Sequence, residues 1–284
     1  MEIINRRQRM FSLSRQLRRE EKVIGLVPTM GALHEGHLSL IKKARQMCDV
    51  VIVSIFVNPA QFNERSDFEN YPRDLTADTS ILANLHVDYV FAPAPDEIYP
   101  ENFSTYVTVD DLSIKLEGAS RPGHFRGVST VVTILFNTVR PDFGFFGQKD
   151  AQQVAIIQRL TRDLGFETEI VVMPIVREEN GLAMSSRNDL LTPEQRSAAA
   201  VMHQSLEEGR GLAESGESNA SEIAEIVRGT IEKEPQAAID YVAVVDNETL
   251  EPIDRLSGSV ALVAVAVRFG NVRLIDNIVL GDSD

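Results

Sequence analysis

Two histidines three positions apart, His34 and His37, lie in the stretch V-I-G-L-V-P-T-M-G-A-L-H-E-G-H-L-S-L-I at 23–41, where a short apolar run gives way to a helical pattern. The first amides of a helix lack internal partners and sit at the positive end of its dipole, so an anion can be held there by the backbone. A spacing of three puts both imidazoles on one side of the first turn, aimed at the same anion. Gly31 and Gly36 present no side chain to a nucleotide approaching the backbone. The chemistry implied is phosphate binding. Glycine-bearing strand-to-helix junctions occur throughout α/β proteins, so support must come from elsewhere in the chain.

Three further clusters each fall just after a predicted strand. In Asn58-Pro59-Ala60-Gln61-Phe62 an amide offers a donor and acceptors to a hydroxy acid, or the segment is a plain Asn-Pro turn. In G-Q-K-D-A-Q-Q at 147–153, Gly147 allows close approach to a ribose, Asp150 can accept ribose hydroxyls, and Lys149 can neutralise phosphate, with Gln153 one turn on. The plainer reading makes Asp150 a helix N-terminal carboxylate and Lys149 a solvated charge. M-S-S-R at 184–187 offers two hydroxyls and a guanidinium in a polar, mobile loop that can close over a triphosphate, or is a Ser-rich linker. In R-P-G-H-F-R-G at 121–127, Arg121 and His124 either line a crevice or form a turn before a helix, and the reading leans to the turn.

These residues need a scaffold. The run V-V-I-V-S-I-F-V at 50–57 is apolar almost throughout, as in a strand buried on both faces of a parallel sheet. A helix is predicted from Asp74 to Leu85, a strand at 88–92, a buried helix from Gly127, a strand at 142–146, a helix from Asp150 to Leu164, and a strand near 167–174. This alternation predicts a doubly wound α/β domain with its ligand crevice at the carboxyl ends of the strands. Beyond 175 the pattern changes. Thr192-Pro193-Glu194-Gln195 is a capping box, opening a helix expected to stop near Gly209. A second helix carries Ile223, Val227 and Ile231, and strands near 239–245, 260–267 and 272–279 complete a small α+β domain. The expected division is 1–175 and 176–284.

The chain of 284 residues carries a net charge of -14, which argues against a nucleic-acid partner, so any positive charge that holds an anion must be local. Its single cysteine, Cys48, forms no internal disulfide and is expected to be buried packing in a reducing compartment. No apolar run is long enough to span a membrane, and Met10, Leu13 and Leu17 make the basic N-terminus a surface helix rather than a leader.

In order along the chain, P-T-M-G-A-L-H-E-G-H-L at 28–38, F-V-N-P-A-Q-F at 56–62, Y-P-R at 71–73, R-P-G-H-F-R-G-V at 121–128, G-Q-K-D-A-Q-Q at 147–153, G-L-A-M-S-S-R-N at 181–188 and R-L-I-D-N at 273–277 resemble the pantoate–β-alanine ligases, a family of the HxGH nucleotidyltransferases. The resemblance implies a Rossmann-like N-terminal domain, a smaller C-terminal lid, a cytoplasmic homodimer, and ATP-dependent joining of pantoate to β-alanine through a pantoyl-adenylate, with release of AMP and pyrophosphate. It places ATP along Met30 to His37, Gly147 to Asp150, Val176, and Met184, Ser185, Ser186 and Arg187. His37 matches the proton donor and His34 its partner on the phosphates, with Lys149 and Arg187 adding charge. Gln61 and Gln153 match the pantoate-binding amides, and Asn58 lies beside the first. Mg2+ is expected on the phosphates, with Asp78 a candidate neighbour. Gln148 and Ala151 depart from the commoner Glu and Tyr, and Phe269-Gly270-Asn271 from the usual turn. A different transferase of the same superfamily and a nucleotide-binding regulator without turnover are the rival readings.

Overall fold

A computed structural model describes residues 1–256 and 260–281, and its chain divides into two compact units. The first comprises Met1–Gly147 and Ile156–Met173; the second comprises Gln148–Ala155 and Pro174–Asp284. Lys149 and Asp150 therefore group with the second unit, although the sequence reading counted them in the first domain.

Six strands form one parallel sheet: β1 (Glu2–Ile4), β2 (Ile24–Thr29), β3 (Val50–Ile55), β4 (Tyr89–Phe91), β5 (Phe143–Gly147) and β6 (Glu169–Met173), ordered β1-β4-β3-β2-β5-β6. The connecting helices are α1 (Arg7–Arg19), α2 (Glu35–Met47), α3 (Arg65–Asn70), α4 (Leu75–Asn84), α5 (Pro95–Ile98), α6 (Leu116–Ser120), α7 (His124–Val139) and α8 (Ala151–Asp163). β2 and β3 are buried at nearly every position, as their unbroken apolar sequence requires. The edge strand β1 is absent from the sequence reading, since three residues carry no periodicity; it pairs with β4 from Glu2 opposite Tyr89.

The strand order reverses between β2 and β5. These two pair only through Gly25 with Phe143 and Leu26 with Gly144, although β2 continues to Thr29 and β5 to Gly147. Their carboxyl ends thus part, which is where doubly wound sheets open a ligand crevice. Val27, Ile41, Ala44, Val51, Val53, Leu82, Val90 and Phe145 fill the core beneath. Cys48 packs there as expected, its thiol pushed up to about 11 by burial and so kept protonated.

In the second unit, α9 (Pro193–Ala198), α10 (Val201–Glu214) and α11 (Ala220–Ile231) precede an antiparallel sheet ordered β7 (Ala237–Asp246), β8 (Ala261–Phe269) and β9 (Val272–Leu280). The helix expected to stop near Gly209 runs on to Glu214. Gly209 is a packing residue rather than a terminator, because an added Cβ would meet Val227 of α11 at 2.8 Å.

Candidate active site

The crevice rim begins where β2 ends. Thr29 Oγ1 donates to the Ser54 carbonyl at 2.8 Å and accepts the Gly31 amide at 3.2 Å. Gly31 and Ala32 then take left-handed backbone, with φ of 83° and 51°. For alanine that costs roughly 1–2 kcal/mol. The offset comes from α4: the buried Asp78 carboxylate accepts the amides of Ala32 and Leu33 at 3.1 and 3.0 Å, one on each oxygen. Charge-assisted bonds of this kind contribute about 1.5–3 kcal/mol each. A Cβ on Gly31 would lie 2.7 Å from Asp78 Oδ2, so glycine is needed for contact as well as for conformation.

This turn delivers His34 to the N-cap of α2. Its Nδ1 accepts the Gly36 amide at 3.2 Å, and His37 Nδ1 faces the His34 amide at 3.4 Å, a reciprocal capping box built from two imidazoles. The ring centroids are 4.1 Å apart. Because a backbone N–H can only donate, each neutral ring accepts at Nδ1 and carries its proton on Nε2. Gly36 allows the fold-back, since a Cβ there would sit 2.8 Å from the His34 ring.

The loop after β3 is organised around Asn58, which is 1% exposed. Its Oδ1 accepts the Ala60 amide at 3.3 Å and the Tyr99 hydroxyl at 2.7 Å, while its Nδ2 donates to the Gly127 carbonyl at 3.1 Å and to Gln61 Oε1 at 3.0 Å. Every hydrogen-bonding position of the amide is therefore used within the protein. Asn58, a candidate substrate residue, thereby orients Gln61. The Ala60 N–H and Gly127 C=O fix which way the Asn58 amide faces, so Gln61 must turn its oxygen inward and its Nε2 outward, 3.2 Å from Met30 Sδ. His124 Nδ1 and Arg121 Nη2 lie 2.8 and 3.4 Å from the Gln61 carbonyl, and Gly123 turns with φ of 84°. Within 121–127 only Arg121 to Gly123 form the turn that the sequence favoured; His124 to Gly127 already belong to α7, and His124 lines a pocket with Gln61, so the crevice reading holds for that histidine.

In the second unit, Lys149 Nζ is 3.8 Å from Asp150 Oδ1 in a 3-10 turn that leads into α8, with Gln153 in its first turn. Val176 accepts the Met184 amide at 2.9 Å, and Arg177 bridges to Ala183, so the 176–184 segment is a small hairpin. Ser185 caps the following 3-10 turn by accepting the Arg187 amide at 3.2 Å, with Ser186 beginning the turn. Across this turn, Glu178 takes two bonds from Arg196 at 2.8 Å and one from Asn188 at 2.7 Å. Gly147 ends β5 in the first unit, with open space where a side chain would be.

A sequence profile of the pantoate-beta-alanine ligases matches residues 2–279. The chain belongs to the pantoate-beta-alanine ligase family. It is 56% identical over 265 residues to the pantothenate synthetase of Moorella thermoacetica, covering 92% of each chain, and 52% identical over 280 residues to that of Heliobacterium modesticaldum, covering 99% of each. Among solved structures it is similar to pantothenate synthetase from Thermus thermophilus, with a TM-score of 0.90 and 42% identity over 98% of this chain and 99% of that one. It also resembles the pantoate-beta-alanine ligase of Francisella tularensis complexed with beta-gamma ATP and beta-alanine, with a TM-score of 0.80 and 37% identity over 98% and 97% of the two chains.

Within this ligase fold each oxygen of Asp78 accepts one backbone amide, which ties the carboxylate to the turn after β2. Among the described residues no group of three or more His, Cys, Asp or Glu is placed to hold an ion. Tyr99 is the residue the sequence reading missed outright. A lone tyrosine beside prolines has no motif, and its link to Asn58 spans 41 positions.

Proposed function

We propose that the chain joins pantoate to β-alanine at the expense of ATP, in two steps on one site. In the first, a pantoate carboxylate oxygen bonds to the α-phosphorus as the bond to the bridging oxygen of pyrophosphate breaks. In the second, the amine of β-alanine attacks the acyl carbon, AMP leaves, and the nitrogen gives up a proton. Two acids that repel must meet in the first step, so the task is charge neutralisation and alignment rather than covalent catalysis by the protein.

The observation that carries this reading is the family match over residues 2–279. The imidazole pair at the start of α2 agrees with it: two Nε2–H donors and the helix amides suit the oxygens of a polyphosphate. We assign His37 as proton donor to the phosphates and His34 as its partner. Met30, Gly147, Lys149, Asp150, Val176, Met184, Ser185, Ser186 and Arg187 are assigned to ATP, with Gln61 and Gln153 assigned to pantoate. Gln61, turned by Asn58 to present N–H, suits a carboxylate or hydroxyl oxygen. Mg2+ arrives on the triphosphate as part of the substrate, screening charge there. The N-terminal region to about 175 is assigned to ATP and pantoate, and the remainder acts as a lid. The enzyme works in the cytoplasm as a homodimer of the 31.5 kDa chain; light scattering at twice that mass is the expected result.

Exchange of labelled pyrophosphate into ATP tests the reaction. Exchange should require pantoate and Mg2+ but no amine, and AMP should accumulate only when β-alanine is added. Exchange without pantoate, or ATP binding with no AMP formed under any combination, would overturn the assignment.

A further inference from the structure

The motif R-L-I-D-N at 273–277 has no part in the site as built so far. Side chains alternate along β9, so Asp276 and Asn277 point to opposite faces of the strand. They are only 2% and 3% exposed. Asp276 falls in phase with Leu274 and Ile278, which belong to the hydrophobic core of the second unit. A carboxylate there is costly unless paired. Arg177 pairs with it through both ends of its fork, at 2.6 and 3.0 Å, and also donates to the Gly181 carbonyl at 3.0 Å. On the other side, Asn277 Nδ2 donates to the carbonyls of Gln148 and Lys149, both at 3.0 Å, and its Oδ1 accepts Gln148 Nε2 at 3.1 Å. The Asn277 amide donates to Asp276 Oδ1 at 2.8 Å, which links the two grips.

An apolar pair of similar volume would hold a core strand at least as well as a buried ion pair does. What the polar pair adds is geometry. It ties two separate segments to one rigid strand: the turn bearing Lys149 and Asp150, and the hairpin that leads to Met184, Ser185, Ser186 and Arg187. We propose that Asp276 and Asn277 are positioning residues for adenylation, Asn277 setting the backbone under Lys149 and Asp276, through Arg177, setting the hairpin before Arg187. This rests on the assignment of Lys149 and Arg187 to ATP made above.

The test compares Asn277→Ala, the isosteric Asn277→Asp, Lys149→Ala and the double variant Lys149→Ala with Asn277→Ala. The assay is pantoate-dependent pyrophosphate exchange, run where circular dichroism shows the parent fold; if the alanine variant does not fold, the aspartate variant carries the test. Both Asn277 variants should lose at least tenfold in kcat/KM for ATP, with KM for pantoate within twofold of the parent. The double variant should lose much less relative to Lys149→Ala than Asn277→Ala loses relative to the parent, since Asn277 acts through that segment. A merely structural role would lower the active fraction for all substrates alike. Replacing Arg177 and Asp276 together by leucine strands no charge, and should give a folded protein slowed at least tenfold. Folded Asn277 variants within threefold of the parent, losses that multiply fully with Lys149→Ala, or a leucine pair at the parental rate would overturn the idea. If Lys149→Ala itself kept the parental rate, the ATP assignment would fail instead.

Discussion

At the scale of single residues, the site depends on donors being told apart from acceptors. His34 and His37 each meet a backbone N–H through Nδ1, so the other nitrogen is the one that can give a proton to a phosphate oxygen. Removing it in His37→Ala should cost about two or more powers of ten in turnover, with unfolding little changed; a near-normal rate would end the assigned role. Gln61 depends on a relay in the same way. Tyr99 donates to Asn58, and Asn58 donates to Gln61. Burial holds the Tyr99 phenol above the ordinary tyrosine range, so it stays protonated and able to donate. Tyr99→Phe removes one bond worth about 1 kcal/mol, and KM for pantoate should rise about fivefold while KM for ATP holds. Equal KM values in variant and parent would mean that Gln61 is oriented without the relay. Asp78→Asn turns one acceptor toward an amide as a donor, and should destabilise the turn after β2 by about 1–3 kcal/mol, read from denaturant unfolding.

At the scale of elements, a missing side chain sets how closely some of them approach. Gly127 in the first turn of α7 is an example: a Cβ would lie 2.3 Å from the Ala60 carbonyl. The helix thus packs against the Asn58–Gln61 loop backbone to backbone, and its Gly127 carbonyl becomes a partner of Asn58. Neither side can yield as a flexible side chain would. Gly127→Ala should cost about 1–3 kcal/mol and raise KM for pantoate as Gln61 shifts. A variant with parental unfolding and parental KM would show that the loop has room to move. α7 itself was legible as a helix from its length, in spite of its β-branched residues, but the closeness of its approach was not.

For the whole molecule, the acidic balance bears on pH. Glu178 is held below the usual carboxylate range by hydrogen bonds from Arg196, Glu208 by the Thr230 hydroxyl, and Glu97 by Arg6. Groups with a lowered folded-state pKa contribute stability that is present above their unfolded pKa and is lost as pH falls through the folded one. Thermal unfolding should therefore occur at lower temperature as pH drops from 7 to below 4. Arg196→Ala should be less stable than the parent at pH 7 and close to it in acid. A gap of the same size at both pH values would show that Glu178 and Arg196 do not stabilise the 176–190 segment electrostatically.

How much of this was legible depends on how far apart the partners lie in the chain. Local order was readable: unbroken apolar runs specified a parallel sheet because only two-sided burial stabilises them, and the paired histidines fell at the start of a helix, on one side of its first turn, because helix geometry sets their spacing. Gly209 misled because a glycine that ends a helix and one that admits a neighbouring helix look the same in one dimension. Asp78, Tyr99, Asp276 and Asn277 hold partners 46, 41, 99 and 128 positions away. Nothing in their residue types announces these partners, and only tertiary structure buried Asp78, Asp276 and Asn277 and brought Tyr99 onto Asn58. The sequence by itself thus determined the local elements, the sheet they build and which residues are candidates for the site. Folding alone decided how each is aimed, because a hydrogen bond has a direction that composition and spacing do not encode.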